Sequence, residues 1–218
     1  MSSTRDNLLD AAERLFADHG FEAASMREIT SLAHANLGSV NYHFGNKDSL
    51  LQEVLMRRIK RIVDERNRML QIAVEAAGDS PPTVRSLMDA FISPGVHIAS
   101  VHPHFAKLLA RVQFEGMFQR VGEIFKQTFH ESLSQFVKQL SRALPKLEPE
   151  EIQLRLMFSV GSFTFVAMNS KTICVGMKLP SVEQDPGVLT SRIVAFCTAG
   201  MEAPPARKPR ARRKGSQQ

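Results

Sequence analysis

Residues 25–50, SMREITSLAHANLGSVNYHFGNKDSL, leave few folds open to this chain. Ser25 followed three residues later by Glu28 is a capping box. The hydroxyl accepts from a free backbone N–H at a helix start, and the carboxylate reaches back to the serine N–H. The helix so begun carries Ile29, Leu32 and Ala33 at inward spacing, and His34–Ala35–Asn36 interrupts it. A second short helix follows, with Val40 and Phe44 four residues apart on its buried side. That leaves Leu37, Ser39, Asn41, Tyr42 and His43 pointing outward. Two such helices joined by about three to four residues make a helix-turn-helix, whose second helix enters the major groove of DNA.

The flanks extend the pattern. Residues 4–20 predict a preceding helix, with Leu8, Ala11, Ala12, Leu15 and Phe16 on one face and Gly20 as its stop. Gly45–Asn46 closes the recognition helix, and Asn46 can cap the next one, which starts at Lys47. The ordered series Phe21, Ser25, Ile29, Ala33, Gly38, His43, Phe44, Lys47 and Leu50 resembles the N-terminal signature of the TetR family of bacterial repressors. Any one of these residues is a weak signal; their combination is specific. Beyond Leu50 the resemblance lies in helical layout and length.

The resemblance implies an all-α fold. Residues 1–46 would form an N-terminal three-helix DNA-binding domain with the helix-turn-helix. Residues 47–202 would form a larger helical ligand-binding and dimerisation domain, with 47–77 as a linker helix. Three departures stand against the family's usual pattern. The turn position that usually holds glycine is His34, a residue type that tolerates positive φ. The recognition helix reads NYHFG, with Tyr42 directly before His43; this variant is similar to that of a subset that includes fatty-acid- and acyl-thioester-responsive regulators. Residues 36–44 contain no Lys or Arg. Base reading is therefore expected from Asn41, Ser39, Leu37 and Arg27, and phosphate contacts from Ser25, Tyr42, His43 and Lys47.

Charge adds little until it is located. The net +6 equals the six bases Arg207, Lys208, Arg210, Arg212, Arg213 and Lys214 of the C-terminal stretch, so the body carries 22 basic and 22 acidic residues and is neutral. Residues 203–218 have no apolar periodicity and read as a basic disordered tail. The tail is either a solubiliser or a tethered polycation adding salt-sensitive phosphate contacts.

The body reads as helices throughout, over 47–77, 83–101 (broken near Pro94–Gly95), 103–118, 119–144, 149–177 and 186–202. Stops at Pro103, Leu144–Pro145, Pro180 and Asp185–Pro186 separate them, and the total is about nine helices. The apolar stripe of 47–77 is Leu50, Leu51, Val54, Leu55, Ile59, Ile62, Val63, Met69 and Leu70. Between Phe91 and Met168 the chain is dense in Phe and Met, which suits either an ordinary core or an adaptable apolar pocket. The family resemblance implies a small-molecule pocket here, and Gln113, Phe114, Met117, Phe118, Phe163 and Asn169 are its candidate lining, with Arg111 and Glu115 interleaved. Helices 149–177 and 186–202 are the expected homodimer interface. Their candidate pairing residues are Ile152, Leu156, Val160, Phe163 and Ala167 on one, and Val188, Ile193, Phe196 and Cys197 on the other.

Several classes are disfavoured. Cys174 and Cys197 are far apart and read as reduced, packed thiols. His97, His102 and His104 straddle a helix end without ligand spacing, so no metal or other cofactor is expected. No nucleophile triad, phosphate loop or CxxC appears, which argues against an enzyme. The apolar run from Leu156 to Met168 is too short to span a bilayer, and a cytoplasmic location with no membrane contact is expected. The sequence thus points to a ligand-responsive repressor that binds a double-stranded palindromic operator as a homodimer and takes a small apolar effector, with fatty acid or acyl-thioester the leading class. The alternatives are a DNA-organising helical protein without ligand control, or a helical lipid-binding protein whose helix-turn-helix is vestigial.

Overall fold

The computed structural model describes residues 3–169, 174–179, 181 and 184–205, without the side chains of 118, 124–126 and 167–169. The described residues form helices and no strands: α1 (Thr4–His19), α2 (Met26–Leu32), α3 (Leu37–Phe44), α4 (Lys47–Ala77), α5 (Val84–Val101), α6 (Pro103–Phe114), a 3-10 turn (Met117–Gln119), α7 (Gly122–Ala143), α8 (Pro149–Asn169) and α9 (Pro186–Glu202). The all-α reading is correct, and so is the N-terminal helix-turn-helix.

Local chemistry explains the first turns. Ser25 Oγ accepts from the Glu28 N–H at 3.2 Å, and Glu28 Oε2 accepts from the Ser25 N–H at 2.8 Å, which completes the expected box. These hydrogen bonds, the backbone one first, hold the Glu28 carboxyl below the usual carboxylate range. At the other end of α2, His34 takes φ +52°. Its N–H bonds to Ser31 O at 3.2 Å, and that of Ala35 to Thr30 O at 2.9 Å. This pair of bonds is a Schellman stop with histidine in the left-handed position where glycine is usual. Asn36 then caps α3 through Ser39 N–H at 2.8 Å, and Asn46 caps α4 through Ser49 N–H at 2.8 Å.

The buried side chains fall into two clusters. One joins α1, α2 and α3 to the first half of α4, the end of α5, α6 and Val121. The other joins the last part of α4 to α5, α7, α8 and α9. Helix α5 lies against α4, α6, α7, α8 and α9 and is buried except along a polar stripe of Ser86, Asp89, Ser93, His97 and Ser100. Helix α4 spans about 46 Å at 1.5 Å per residue, enough to reach from one cluster into the other. Glu13 of α1, itself buried, receives Arg57 Nη2 at 2.9 Å and Arg58 Nε at 3.1 Å, which fixes α1 to α4.

Three expected boundaries differ. Helix α5 runs unbroken through Pro94. Pro94 lacks the N–H for its helical bond, and the packing around it holds the segment helical. The helix expected over 103–118 ends at Phe114, because Gly116 turns the chain at φ +68°; α7 accordingly starts at Gly122 rather than at 119. Helix α8 is described to Asn169, and 170–173 of the expected 149–177 lie outside the described residues.

His34→Gly is expected to raise unfolding free energy by about 0.5–1 kcal/mol, since glycine accepts positive φ without the steric cost a Cβ brings. His34→Val should lower it. Thermal melts of the two variants against the parent check the sign.

Candidate nucleic-acid interface and ligand cavity

The outward face of α3 follows from what its inward face must bury. Val40 and Phe44 are buried against the first cluster, so the 100° step of the helix sends Leu37, Asn41, Tyr42 and His43 to solvent. Tyr42 is 86% exposed and lies edge-on to His43, with ring centroids 5.1 Å apart. Asn41 and Arg27 are exposed, and no partner is recorded for either side chain among the described residues. Ser39 is half-buried, its hydroxyl donating to Asn36 Oδ1 at 3.1 Å. Ser25 is exposed, with its hydroxyl oxygen already engaged by the α2 cap.

Lys47 is placed differently from the rest. Its Nζ donates to Glu22 O at 3.2 Å and sits 4.5 Å from the Phe21 ring centroid. The Arg120 guanidinium also lies against that ring, at 4.8 Å. Arg120 further pairs with Glu22 at 2.6 Å and Asp48 at 3.2 Å, and its carbonyl accepts from Gln52 Nε2 at 2.9 Å. Nearby, Arg111 of α6 donates to Ala17 O at 3.0 Å, and Lys107 pairs with Asp18 at 3.0 Å. Arg111 and Glu115, interleaved with the pocket residues in sequence, pair with each other at 2.6 Å on this junction. These contacts clamp the end of α1 and the loop after it to α4, α6 and the turn beyond α6. Sequence periodicity gave no sign of this clamp, because its cations stand on helix faces that read as solvated.

The second site is a mostly apolar cavity of about 30 Å³ between α4, α5, α6, α7 and α8. Its wall includes Ile62, Phe91, Val160 and, from the expected lining, Gln113 and Phe163. The Phe163 ring occupies the space beside Gly95, where an added Cβ would meet Phe163 Cε1 at 3.2 Å. Phe114 is not brought to this cavity: it is 68% exposed at the end of α6. Met117 is not either; beyond Gly116 it packs into the first cluster. The side chains of Phe118 and Asn169 lie outside the described residues. One wall residue went unread from the sequence. Arg66, only 7% exposed, lies on the apolar stripe of α4 four residues after Ile62. That spacing was the signal that could have found it.

Helix α8 turns Ile152 and Leu156 inward and packs Val160 and Phe163 against the second core, so these four residues expected to pair with a partner face the subunit interior. The exposed stripe of α8 is instead Leu154, Met157, Phe158 and Phe165, while on α9 the expected Val188 and Phe196 are exposed. Helix α8 is apolar on two sides, and periodicity could not tell which one is covered. Ile193 and Cys197 of α9 are likewise buried in the second core.

The model of the bacterial regulatory proteins of the tetR family matches residues 8–54, and that of the tetracyclin repressor-like C-terminal domain matches residues 89–200. Among curated relatives, the nicotine-responsive transcriptional repressor HdnoR of Paenarthrobacter nicotinovorans is 41% identical over 40% of this chain and 43% of its own length. The transcriptional repressor KstR2 of Mycolicibacterium smegmatis is 41% identical over 25% of this chain and 26% of its own. The chain therefore spans less than half the length of the curated relatives it matches. Two solved structures share the fold. The fatty acid degradation regulator FadR from Bacillus halodurans has TM-score 0.69 at 16% identity, covering 92% of this chain and 97% of that one. FadR from Bacillus subtilis in complex with stearoyl-CoA has TM-score 0.61 at 15% identity, covering 89% and 98%. With one family model on the helix-turn-helix and another on more than half of the chain, this protein is a member of the TetR family of bacterial transcriptional regulators.

Proposed function

We propose that the chain is a ligand-responsive repressor that binds a palindromic operator as a homodimer and releases it when an elongated apolar effector, fatty acid or acyl-thioester, enters the cavity between α4 and α8. The observation that carries this reading is that one helix serves both sites. Helix α4 buries Leu50, Leu51 and Val54 in the cluster that holds α1, α2 and α3, and about 18 Å further along it supplies Ile62 and Arg66 to the cavity wall. A shift of α4 that makes room in the cavity moves the support of the recognition helix. The coupling has to supply ~1–3 kcal/mol to change operator affinity 5- to 150-fold. The mostly apolar wall and the stearoyl-CoA bound by the Bacillus subtilis FadR neighbour support the effector class.

On the DNA side, Asn41, Ser39, Leu37 and Arg27 face bases, while Ser25, Tyr42, His43 and Lys47 face phosphates. Asn41→Ala should cost the operator ~1–3 kcal/mol and leave random duplex binding unchanged. Gel-shift titrations on both DNAs check this, and an equal loss on each would refute base reading by Asn41.

The exposed stripe of α8 and α9 serves as the dimer face, because a twofold axis can cover one apolar patch with its own copy. Phe158 and Phe196 are 62% and 70% exposed and so sit where a partner would cover them. The double substitution Phe158→Glu with Phe196→Glu should give folded monomers in sedimentation velocity and lose cooperative operator binding. A variant that still sediments as a dimer places the interface elsewhere.

Residues 203–218 act as a tethered polycation. Deleting them should flatten the dependence of nonspecific DNA affinity on salt, since up to six phosphate-neutralising charges leave with the tail. An unchanged slope means the tail only solubilises.

A further inference from the structure

Three arginines are buried among the described residues: Arg58, Arg66 and Arg155. Two of them have a counter-charge. Arg58 Nε meets Glu13 at 3.1 Å. Arg155 Nε meets Glu151 at 2.9 Å, and its other nitrogens close the carbonyls at the end of α9, including Met201 O at 2.8 Å. Arg66 pairs with no carboxylate among the described residues. Its Nε donates to Phe91 O at 2.8 Å, and the guanidinium stacks 4.1 Å from the Phe91 ring centroid. Burial is the sole cause that pulls this guanidinium down to about 10, so at neutral pH it is a buried cation without an anion. A charge in this state is normally paired or expelled. The Phe91 carbonyl supplies no net charge, and on α5 it already has a helical acceptor role toward Gly95.

The position of the cation matters as much as its state. Arg66 is part of the wall of the small cavity between five helices, where Gln113, Ser159 and Thr164 are the other polar residues in a mostly apolar set. One turn beyond Phe91 on α5, Gly95 lines the same cavity without a Cβ, and the Phe163 ring lies against it. We propose, on the reading of this cavity as the effector site, that Arg66 is the anchor for an anionic head group and that the effector is a free long-chain carboxylic acid rather than its thioester. The carboxylate would take the two unshared guanidinium nitrogens side by side, the geometry in which arginine and carboxylate fit best. The hydrocarbon would take the space opened as Phe163 swings from Gly95. A thioester offers only a neutral carbonyl at this point, and leaves the cation uncompensated.

The test uses thermal melts and isothermal titration of the full-length protein with saturated fatty acids, their methyl esters and their coenzyme A thioesters. The parent should be stabilised by the acid, and bind it about 10- to 100-fold more tightly than the ester or thioester, as a hydrogen-bonded charge lost from a buried pair implies. Arg66→Gln should erase that preference, and Arg66→Lys should keep part of it. Without ligand, Arg66→Met should melt at or above the parent, because it removes an uncompensated buried charge; a much lower melting point would make Arg66 a structural residue and overturn the proposal. Equal binding of acid and ester by the parent would overturn it too, while leaving the cavity as an effector site. If no acyl compound binds the parent, both the proposal and the acyl effector reading fall.

Discussion

Helix α4 has to be buried at both ends in different cores, and the rest of the molecule is arranged around meeting that demand. Its first turns complete the helix-turn-helix by covering Phe16, Ile29 and Phe44, while Leu70 belongs to the core of α5, α7, α8 and α9. Two cations nonetheless sit on its buried side, at positions 58 and 66. Arg58 is matched by Glu13, and with Arg57 and Asp10 they make a four-residue, partly buried ion cluster between α1 and α4. Breaking one partner of such a cluster leaves a charge stranded in low dielectric, which makes the angle between α1 and α4 costly to change. The ion cluster therefore ties the DNA-binding helices to the first half of α4.

Helix α6 offers a second connection of the same kind. Leu109 and Gln113 line the cavity, while Lys107 and Arg111, two residues earlier in each case, hold Asp18 and the carbonyl of Ala17. The two sets lie on different faces of one twelve-residue helix. Beyond it, Arg120 closes on Phe21, Glu22 and Asp48. On the proposed reading, a change of wall shape would reach the helix-turn-helix along α4 from within and along α6 from outside. The charged contacts of the second route are partly exposed and individually weak, so they set orientation more than they add stability.

What could be read from the sequence was whatever depends on neighbours three or four residues away. The Ser25–Glu28 box, the stop at His34, the Asn46 cap and the burial of Val40 and Phe44 all have that range, and all are present. The failures share a different origin. Phe114 and Met117 were grouped with the cavity by Phe/Met density alone, but Gly116 turns the chain between them and sends one to solvent and the other to the wrong core. Helix α8 is apolar on two sides, so its inward stripe was assigned to a partner. Arg66 falls where the apolar stripe of α4 has a gap of one turn, between Val63 and Met69, and it is buried there. Composition cannot see such an inversion; register can.

The aromatic inventory has an optical consequence. The chain has no tryptophan and one tyrosine, and that ring stands 86% exposed on α3, between Asn41 and His43. Nearly all the intrinsic ultraviolet emission of the protein therefore originates at a single point on the recognition helix, outside the cavity wall. The fourteen phenylalanines emit too weakly to compete. The protein carries its own fluorophore at the end of the lever and none at the other, so its emission reports the surroundings of α3 and is silent about events that stay within the helical body.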